Sequence, residues 1–409
     1  MKIIFVGTKN FDFFSRSLLE QFEKIIITNK SYQLPHFIEN SATVFRVDDV
    51  YDDNAKTYKL DVQQCINILS LHINEFSESK VFCNQESNLE VAEKIRATFS
   101  IYDHMNACVD IYRDKLIMKK AILSSKLRAP RFTGLNKSVK AENYTDLKTL
   151  LGEKFIVKPL SSVGSRGVYK ISSEHDFINF INETIDDACL YEAEEFIDGD
   201  LYEFDTALQH GELLYSNVSR YSCPMADLQD GTTLGSIMVE RSAEIHRRIH
   251  LFGLECLRAL GAQNGCFHME LFLSHADELV FLEVAARSPG LMTVPAYQRW
   301  EGVNMYDLEL LIQCGMPASD IALPHSQHRS RPSFFVVYPK ISGSISALNT
   351  PETEAEIDID WQVTAGQEVS DTTTNIDYAA RFFVTCNNVD EAKRTFEYLT
   401  REFKAVDYA

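Results

Sequence analysis

A chain of 409 residues is too long for one hydrophobic core, so we expect two to four packed units. With 40 lysines and arginines against 59 aspartates and glutamates, the net charge is −19, which argues against a protein that binds duplex nucleic acid. The nine cysteines are dispersed without a Cys-X-X-Cys pair, which predicts reduced thiols in a cytoplasmic protein. The apolar runs are too short for a signal peptide or a membrane span.

Short apolar runs alternate with helical patterns over the first hundred residues. The first run, "KIIFV", is closed by Gly7, and further strands are expected at 24–28, 44–47 and 81–84, with helices at 57–72 and 87–99. This alternation predicts a parallel sheet with helices on both faces. Because no Gly-X-Gly-X-X-Gly follows the first strand, we expect no dinucleotide site there.

The rest of the chain is richer in strands. A helical pattern from 103 to 129 ends at Pro130, and two β-rich runs follow at 154–160 and 167–171. Residues 200–219 predict a hairpin that turns at His210 and Gly211. The pattern continues with a helix at 246–262, strands at 265–273 and 278–287, a last β-rich unit from 331 and a closing helix at 389–403.

The segment "VKPLSSVGSRGV" (157–168) resembles a phosphate-binding loop, but a strand rather than a helix follows it. A glycine-rich loop between two strands is a flap that can present backbone N–H groups to a triphosphate. Ser162 and Ser165 can add hydroxyl donors, and Lys158 on the preceding strand can reach a phosphate oxygen. A plain Gly/Ser hairpin turn is the alternative.

Two glutamates are expected to face each other across a later hairpin. With the turn centred between Ala276 and Asp277, Glu270 and Glu283 become cross-strand partners, whose Cβ atoms lie roughly 4.5–5.5 Å apart. Such a pair repels unless a cation lies between the carboxylates, and Mg²⁺ suits carboxylates combined with substrate phosphates. Two unrelated glutamates on a solvated sheet face are the alternative.

Other polar residues near this hairpin are open to two interpretations. Arg287 can stabilise charge on a transferred phosphoryl group, or it is a surface arginine. Arg220 and Tyr221, in the segment 216–238, can hold a substrate carboxylate or serve the fold, and "SPGLM" (288–292) is a second candidate wall. His268 is a candidate base for an amine, although a satisfied core histidine is the commoner case.

The order of flap, lysines, paired glutamates and arginine resembles the ATP-grasp superfamily over roughly residues 103–320. The segments "RDKLIMKKAI", "FIVKPLSSVGSRGV", "EEFIDGDLYEFD", "FHMELF" and "FLEVAARSPG" resemble its carboxylate–amine ligase branch, which includes amino-acid ligases of the carnosine-synthase type. The resemblance implies an α/β fold with a Rossmann-like domain at 1–102, an ATP-grasp domain at 103–325 with a lid at about 126–191, and a small α+β domain at 326–409. It allows a homodimer.

The resemblance also assigns roles to individual residues. Lys115, with Lys119 as the alternative, and Lys158 resemble the ATP-contacting lysines, and Arg287 the arginine that steadies the acyl phosphate. Glu270 and Glu283 resemble the ligands of Mg²⁺ (or Mn²⁺). The resemblance implies three further sets of nucleotide contacts. The phosphate flap would contribute Ser161, Ser162, Gly164, Ser165 and Gly167. Adenine would be bound by the Glu194 side chain and the backbone of Glu195 and Ile197, and Glu203 would lie near the ribose.

One position departs from the pattern. Many relatives carry a metal-binding asparagine two residues after the second glutamate, where this chain has Ala285. The implied activity is ATP-dependent formation of an amide bond from a small carboxylate and an amine, both amino acids, through an acyl phosphate. A carboxylase similar to biotin carboxylase and a non-catalytic ATP-binding module are the alternatives.

Overall fold

The computed structural model describes residues 1–73, 75–76, 78–101, 109–135, 139–164, 166–184, 189–317 and 330–409. Across these residues, short 3-10 helices occur at Phe11–Phe13, Glu86–Asn88, Asp110–Tyr112, Ala141–Asn143 and Met225–Asp230. Within the same ranges, every helix is too short or too polar to cross a lipid bilayer.

The N-terminal region is built on a four-stranded parallel sheet. Its strands are β1 (Lys2–Val6), β2 (Glu23–Asn29), β3 (Ala42–Val47) and β6 (Ser79–Phe82), in the order β3-β2-β1-β6. A two-stranded hairpin, β4 (Asp49–Asp52) and β5 (Thr57–Leu60), follows β3. The helices are α1 (Arg16–Leu19), α2 (His36–Glu39), α3 (Val62–His72) and α4 (Leu89–Phe99). The predicted parallel sheet is therefore present.

The helix predicted at 57–72 was wrong over its first four residues, which form strand β5. The helix begins only after Asp61, whose side chain accepts a hydrogen bond from the backbone N–H of Gln64. An N-cap of this kind satisfies one free donor of the first turn and marks the true start of the helix.

A second, antiparallel sheet is built largely from the segment predicted to be the lid. It consists of β7 (Phe132–Leu135), β8 (Phe155–Pro159), β9 (Tyr169–Ile171) and β10 (Tyr191–Glu195), in the order β7-β10-β8-β9. Helix α5 (Lys115–Ser124) precedes it, and α6 (Tyr144–Leu151) and α7 (Glu174–Thr184) contribute to its core. Residues 103–108 of the helix predicted at 103–129 lie outside the described residues, and the helix observed ends at Ser124, before Pro130.

The largest sheet has eight strands. In chain order these are β11 (Gly199–Gln209), β12 (Glu212–Tyr221), β13 (Leu234–Met238), β14 (Gly265–Ser274), β15 (Leu279–Ala285), β16 (Ser333–Tyr338), β18 (Glu356–Trp361) and β20 (Ala380–Thr385). Their spatial order is β15-β14-β11-β12-β13-β16-β20-β18. The predicted β11–β12 hairpin turns at His210 and Gly211, both with positive φ.

Four helices and a small sheet account for the remaining elements among the described residues. The helices are α8 (Glu244–Ala259), α9 (Thr293–Glu301), α10 (Met305–Gln313) and α11 (Val389–Arg401), and the sheet comprises β17 (Gly343–Leu348), β19 (Glu368–Val369) and β21 (Val406–Tyr408). Strand β16 pairs with β13, so the C-terminal strands extend the central sheet. The boundary proposed at 325/326 thus separates two halves of one continuous sheet.

The hairpin of β14 and β15 places the paired glutamates. Glu270 lies opposite Glu283, as the sequence predicted. Next to the turn, the pairing is shifted by one residue from the predicted register, because Leu273 pairs with Leu279 and Leu271 with Phe281. A bulge between Glu270 and Leu271 removes this offset and brings the two carboxylates into register.

Candidate active site

Two adjoining cavities lie between the lid and the central sheet. The larger has a volume of about 330 Å³ and the smaller about 80 Å³. Lys115, Met225, Glu270 and Glu283 line both of them. The residues predicted to bind phosphate and metal therefore stand where the two cavities meet.

The larger cavity is walled mainly by apolar side chains. These come from the lid, the loop after it and the central sheet: Ile156, Val168, Phe196, Ile197, Leu201, Met225, Phe272 and Leu282. Its size is within the range of ligand pockets, and a mainly apolar lining with a few charged groups is typical of small-molecule sites. The loop that was proposed as a substrate wall contributes Pro224 to Asp227 to this cavity, and Lys170 Nζ of β9 lies 2.6 Å from Asp227 Oδ1.

The flap is held against the site by cations from the segment before it. Asp114 caps helix α5, and Lys115 at the first turn donates from Nζ to the backbone oxygen of Ser162 at 3.1 Å. Arg113 Nη2 donates to the backbone oxygen of Ser161 at 2.8 Å. Gly164 and Gly167 both have positive φ, as expected for a close-approach loop. Ser165 lies outside the described residues.

A buried cluster of charges lies beside the larger cavity. Lys158 Nζ is 2.6 Å from Glu194 Oε1, and Lys119 donates to the other oxygen of Glu194 and to Glu192 at 2.6 Å. Burial raises the pKa of Glu194, but Lys119 and Lys158 outweigh it and leave that pKa below its usual range. The carboxylate predicted to accept from adenine is thus already bound by two ammonium groups.

The carboxylate pair is close to a lysine. Glu283 Oε2 lies 3.3 Å from Lys115 Nζ and 4.0 Å from Lys158 Nζ. Burial would raise the pKa of the Glu283 carboxyl, but these lysines outweigh it and lower the pKa to about 2. Glu283 is therefore ionised at any physiological pH, and its side chain remains 34% exposed toward the cavities.

The smaller cavity is polar and contains an arginine pair. Glu86 Oε1 accepts from Arg113 Nη1 at 2.6 Å, and Glu86 Oε2 accepts from Arg287 Nη2 at 3.0 Å. Arg287 lines this cavity rather than the outer surface, and Ala285, Gly290 and Leu291 line it too. The second proposed substrate wall, 288–292, therefore does border the site.

Three predicted residues have other surroundings than expected. Glu203 is fully buried next to Ser236, which donates to its Oε1, and this burial argues against a contact with the ribose. The Arg220 guanidinium binds Glu397 Oε1 of α11 at 2.7 Å, so the structural alternative holds for it. Glu195 binds Arg128 and Arg131 through its carboxylate, and its backbone N–H donates to the Arg131 carbonyl.

His268 belongs to a buried network. Its Nδ1 lies 2.7 Å from Asp205 Oδ1, and Asp205 Oδ2 accepts from Tyr297 at 2.6 Å. Burial would lower the pKa of the His268 imidazole, but Asp205 outweighs it and raises the pKa to about 10. A protonated imidazole cannot accept a proton, so a role as base is not supported.

Several site residues were not predicted. Glu86, Arg113, Glu192 and Asn375 surround the flap and lysines, yet only Arg113 belongs to a segment on which the resemblance rests, "RDKLIMKKAI". Glu192 and Glu194 lie two residues apart on one face of β10, and this spacing could have indicated from the sequence that Glu192 faces the same way as Glu194. Glu86 and Asn375 come from distant regions whose local sequence carries no sign of the site.

The comparison with known proteins agrees with this geometry. The family model of the ATP-grasp domain matches residues 151–295, which include the flap and both glutamates. Over these residues the chain is similar to an ATP-grasp domain. The segment beyond the match, Ser333–Thr385, continues the sheet of that domain through β16 and β20.

One curated protein and two solved structures show how far the likeness extends. The L-arginine-specific L-amino acid ligase of Bacillus subtilis is 22% identical over 276 residues, which are 65% of this chain and 63% of that protein. The matched region thus spans less than two thirds of its relative. The L-amino acid ligase structure from Bacillus licheniformis superimposes with a TM-score of 0.72 at 16% identity, covering 100% of this chain and 98% of that one. A carboxyaminoimidazole ribonucleotide synthase from Aspergillus clavatus, complexed with ATP, gives 0.66 at 15% identity, with 97% of each chain covered. The fold surrounding the ATP-grasp domain is therefore shared as well.

Proposed function

We propose that this protein is an ATP-dependent carboxylate–amine ligase that joins two amino acids and releases ADP and phosphate. The observation that carries the proposal is the junction of an apolar cavity and a polar cavity at Lys115, Glu270 and Glu283. A nucleotide in the larger cavity would present its γ-phosphate to a carboxylate in the smaller one. The relatives named as amino-acid ligases support this choice within the superfamily.

The first half of the reaction transfers a phosphoryl group. The substrate carboxylate oxygen attacks the γ-phosphorus, the bond to ADP breaks, and an acyl phosphate forms. Such a transfer requires position and positive charge more than covalent help. Lys115 lines both cavities, Lys158 lines the larger one and Arg287 the smaller one, and together they would supply that charge, while the flap amides would hold the phosphates.

The second half forms the amide. The amine nitrogen attacks the acyl carbon, and the bond between that carbon and the phosphate oxygen breaks. Its electron pair leaves on the phosphate, which can also take up the proton that the nitrogen loses. Arg287, held by Glu86, would stabilise the negative charge that develops on the acyl oxygen. The acyl phosphate must be kept from water, and a closed flap over the junction would do this.

Glu270 and Glu283 are suited to a divalent cation. Both line the junction of the cavities from directly opposed positions, and hard carboxylate oxygens are the ligands that Mg²⁺ or Mn²⁺ takes. When bound, the ion would neutralise phosphate charge. Lys115, now within 3.3 Å of Glu283, would then exchange that partner for phosphate oxygens.

Turnover of candidate substrates tests the proposal. We would measure ADP release with ATP, Mg²⁺ and a matrix of amino acids and small carboxylic acids, with arginine in every row, and identify products by mass spectrometry. A condensed product that forms with equimolar ADP supports the ligase. ADP release that requires bicarbonate and biotin would instead support a carboxylase, and tight ATP binding without turnover on any pair a non-catalytic module.

Matched variants separate the site from contaminating ATPases. Glu283→Gln removes one charge at the junction, and we expect a loss of on the order of 10²-fold or more in product formation. Glu278→Gln makes the same change on the exposed turn of the same hairpin and should leave the rate unchanged. If both variants retain the activity, the reaction does not take place at this site.

A further inference from the structure

Six residues form two rows on one face of strands β11, β14 and β15. The backbone register places Glu203, Glu270 and Glu283 side by side in one row. Asp205, His268 and Ala285 form the next row, two residues further along each strand. Residues two apart on a strand point to the same face, so the second row borders the carboxylate pair directly.

The second row holds a fixed histidine. His268 Nδ1 is bound to Asp205 Oδ1 at 2.7 Å, and Asp205 is fully buried. Tyr297 donates to the other oxygen of Asp205 at 2.6 Å and lies 2.9 Å from Ser219 Oγ. This chain of contacts fixes the plane of the imidazole ring. The second ring nitrogen, Nε2, is therefore directed away from Asp205.

That nitrogen points to the carboxylate pair. His268 Nε2 lies 3.7 Å from Glu270 Oε1. The cross-strand partner of His268 on β15 is Ala285, whose side chain has no polar atom. The imidazole is therefore placed to restrain the Glu270 carboxylate from this side. Glu203, in the same row as Glu270, is bound by Ser236 instead.

The three groups Glu203, Asp205 and His268 lie within 4.8 Å of one another and could themselves be taken for a metal site. Their contacts do not favour this, since Nδ1 of His268 and both oxygens of Asp205 already have hydrogen-bond partners. The network is better suited to supporting a neighbouring ligand than to binding an ion.

We propose that His268, held by Asp205, is a positioning residue that fixes Glu270 in the orientation that binds the divalent cation. The proposal rests on the proposed function, because it takes Glu270 and Glu283 as the metal ligands. Groups that orient metal ligands in this way typically change metal affinity by 10- to 100-fold when they are removed.

The experiment measures Mn²⁺ binding to the full chain by electron paramagnetic resonance, without amino-acid substrates. We expect His268→Leu to weaken Mn²⁺ binding by 10- to 100-fold. His268→Gln, which retains an N–H donor, should recover part of this loss, and Asp205→Asn should weaken binding to a smaller extent. His246→Gln changes a buried histidine of α8 that lines neither cavity, and should leave Mn²⁺ affinity unchanged.

Two controls make the result decisive. The thermal midpoint of each variant shows whether it folds, and if His268→Leu does not fold, Asp205→Asn and His268→Gln test the proposal. ATP affinity in EDTA should be the same in all variants.

Folded variants that bind Mn²⁺ within twofold of the wild type would overturn the proposal, as would a higher KM for the carboxylate with unchanged Mn²⁺ affinity. Because turnover is not the readout, a chain that binds Mn²⁺ as expected but makes no amide would disprove the ligase and not this role of His268.

Discussion

Glu86 Oε2 lies 3.0 Å from Nη2 of Arg287, although 201 residues separate the two in sequence. The other oxygen of Glu86 binds Arg113, which in turn holds the backbone of the flap through the Ser161 carbonyl. One carboxylate from the N-terminal region thus contacts both an arginine of the polar cavity and, through Arg113, the backbone of the glycine-rich flap. The N-terminal region is therefore part of the site rather than a separate module.

Glu86→Gln should lower kcat and leave ATP binding intact. The amide keeps the size of the side chain but removes the charge that orients two guanidinium groups. Because a small displacement of a positioning group can cost about 10²-fold in rate, we expect a loss of about that size. Steady-state ligase kinetics and ATP titration measure the two effects. Glu93→Gln, on the exposed face of α4, is the control; full activity in Glu86→Gln would refute the coupling.

Lys119→Met should lower the free energy of unfolding of the protein. Lys119 is fully buried and binds two carboxylates, Glu192 and Glu194, which Lys158 alone would then have to neutralise. Removing one member of a buried charge network costs about 3–5 kcal/mol. Urea unfolding gives the free energy directly, with Lys120→Met, an exposed neighbour on the same helix, as the control. Equal unfolding midpoints for the two variants would contradict this account.

The sequence predicted the parts of the site that depend on local pattern. The alternation of apolar residues in β14 and β15 and the position of their turn were enough to pair Glu270 with Glu283, even though a one-residue offset and a bulge lie between the turn and the pair. The loop between strands β8 and β9 and the positive φ of Gly164 and Gly167 were also expected from the sequence. These features follow from backbone geometry over about ten residues.

Contacts between distant segments could not be predicted in this way. The partners of Glu86 depend on how α4, α5 and β15 pack, and no period or spacing encodes that packing. The same holds for the C-terminal strands, whose apolar runs fit a separate domain equally well until the pairing of β13 with β16 joins them to the central sheet. The burial of Glu203 beside Ser236 was not predicted either, because a glutamate six residues after "EEFI" gives no indication of burial in the sequence.

Gly164→Ala should weaken ATP binding, because the added methyl group meets Asn375 in addition to straining the flap backbone. Gly164 has a φ of 64°, and an added Cβ would lie 3.1 Å from Asn375 Oδ1. Gly261 has a φ of 70° with no described atom within 4 Å of an added Cβ, so Gly261→Ala has the same backbone strain without the contact. We expect a higher KM for ATP in Gly164→Ala only. An equal KM in both variants would show that Asn375 does not restrict the flap.

The buried carboxyl of Glu309 should make stability depend on pH. It accepts from the Ser288 backbone N–H at 3.1 Å and from Gln313 Nε2 at 3.2 Å, and Gln313 also binds the Cys83 backbone of the N-terminal region. Burial raises the pKa of Glu309 to about 7. Arg287 also faces it, and the pKa of the nearby Cys83 thiol is raised to about 12, so neither group titrates between pH 4.5 and 7.

The direction of the effect follows from proton binding. Between pH 4.5 and 7 the folded protein keeps the Glu309 proton that the unfolded chain has lost, so stability falls as the pH rises through this window, by at most roughly 3 kcal/mol. Glu309→Gln should remove this part of the slope and gain stability relative to the wild type at pH 8. Urea unfolding at pH 5, 6, 7 and 8 measures it, with the exposed Glu255→Gln on α8 as the control. A wild-type slope that persists unchanged in Glu309→Gln would mean that another buried group carries the pH dependence.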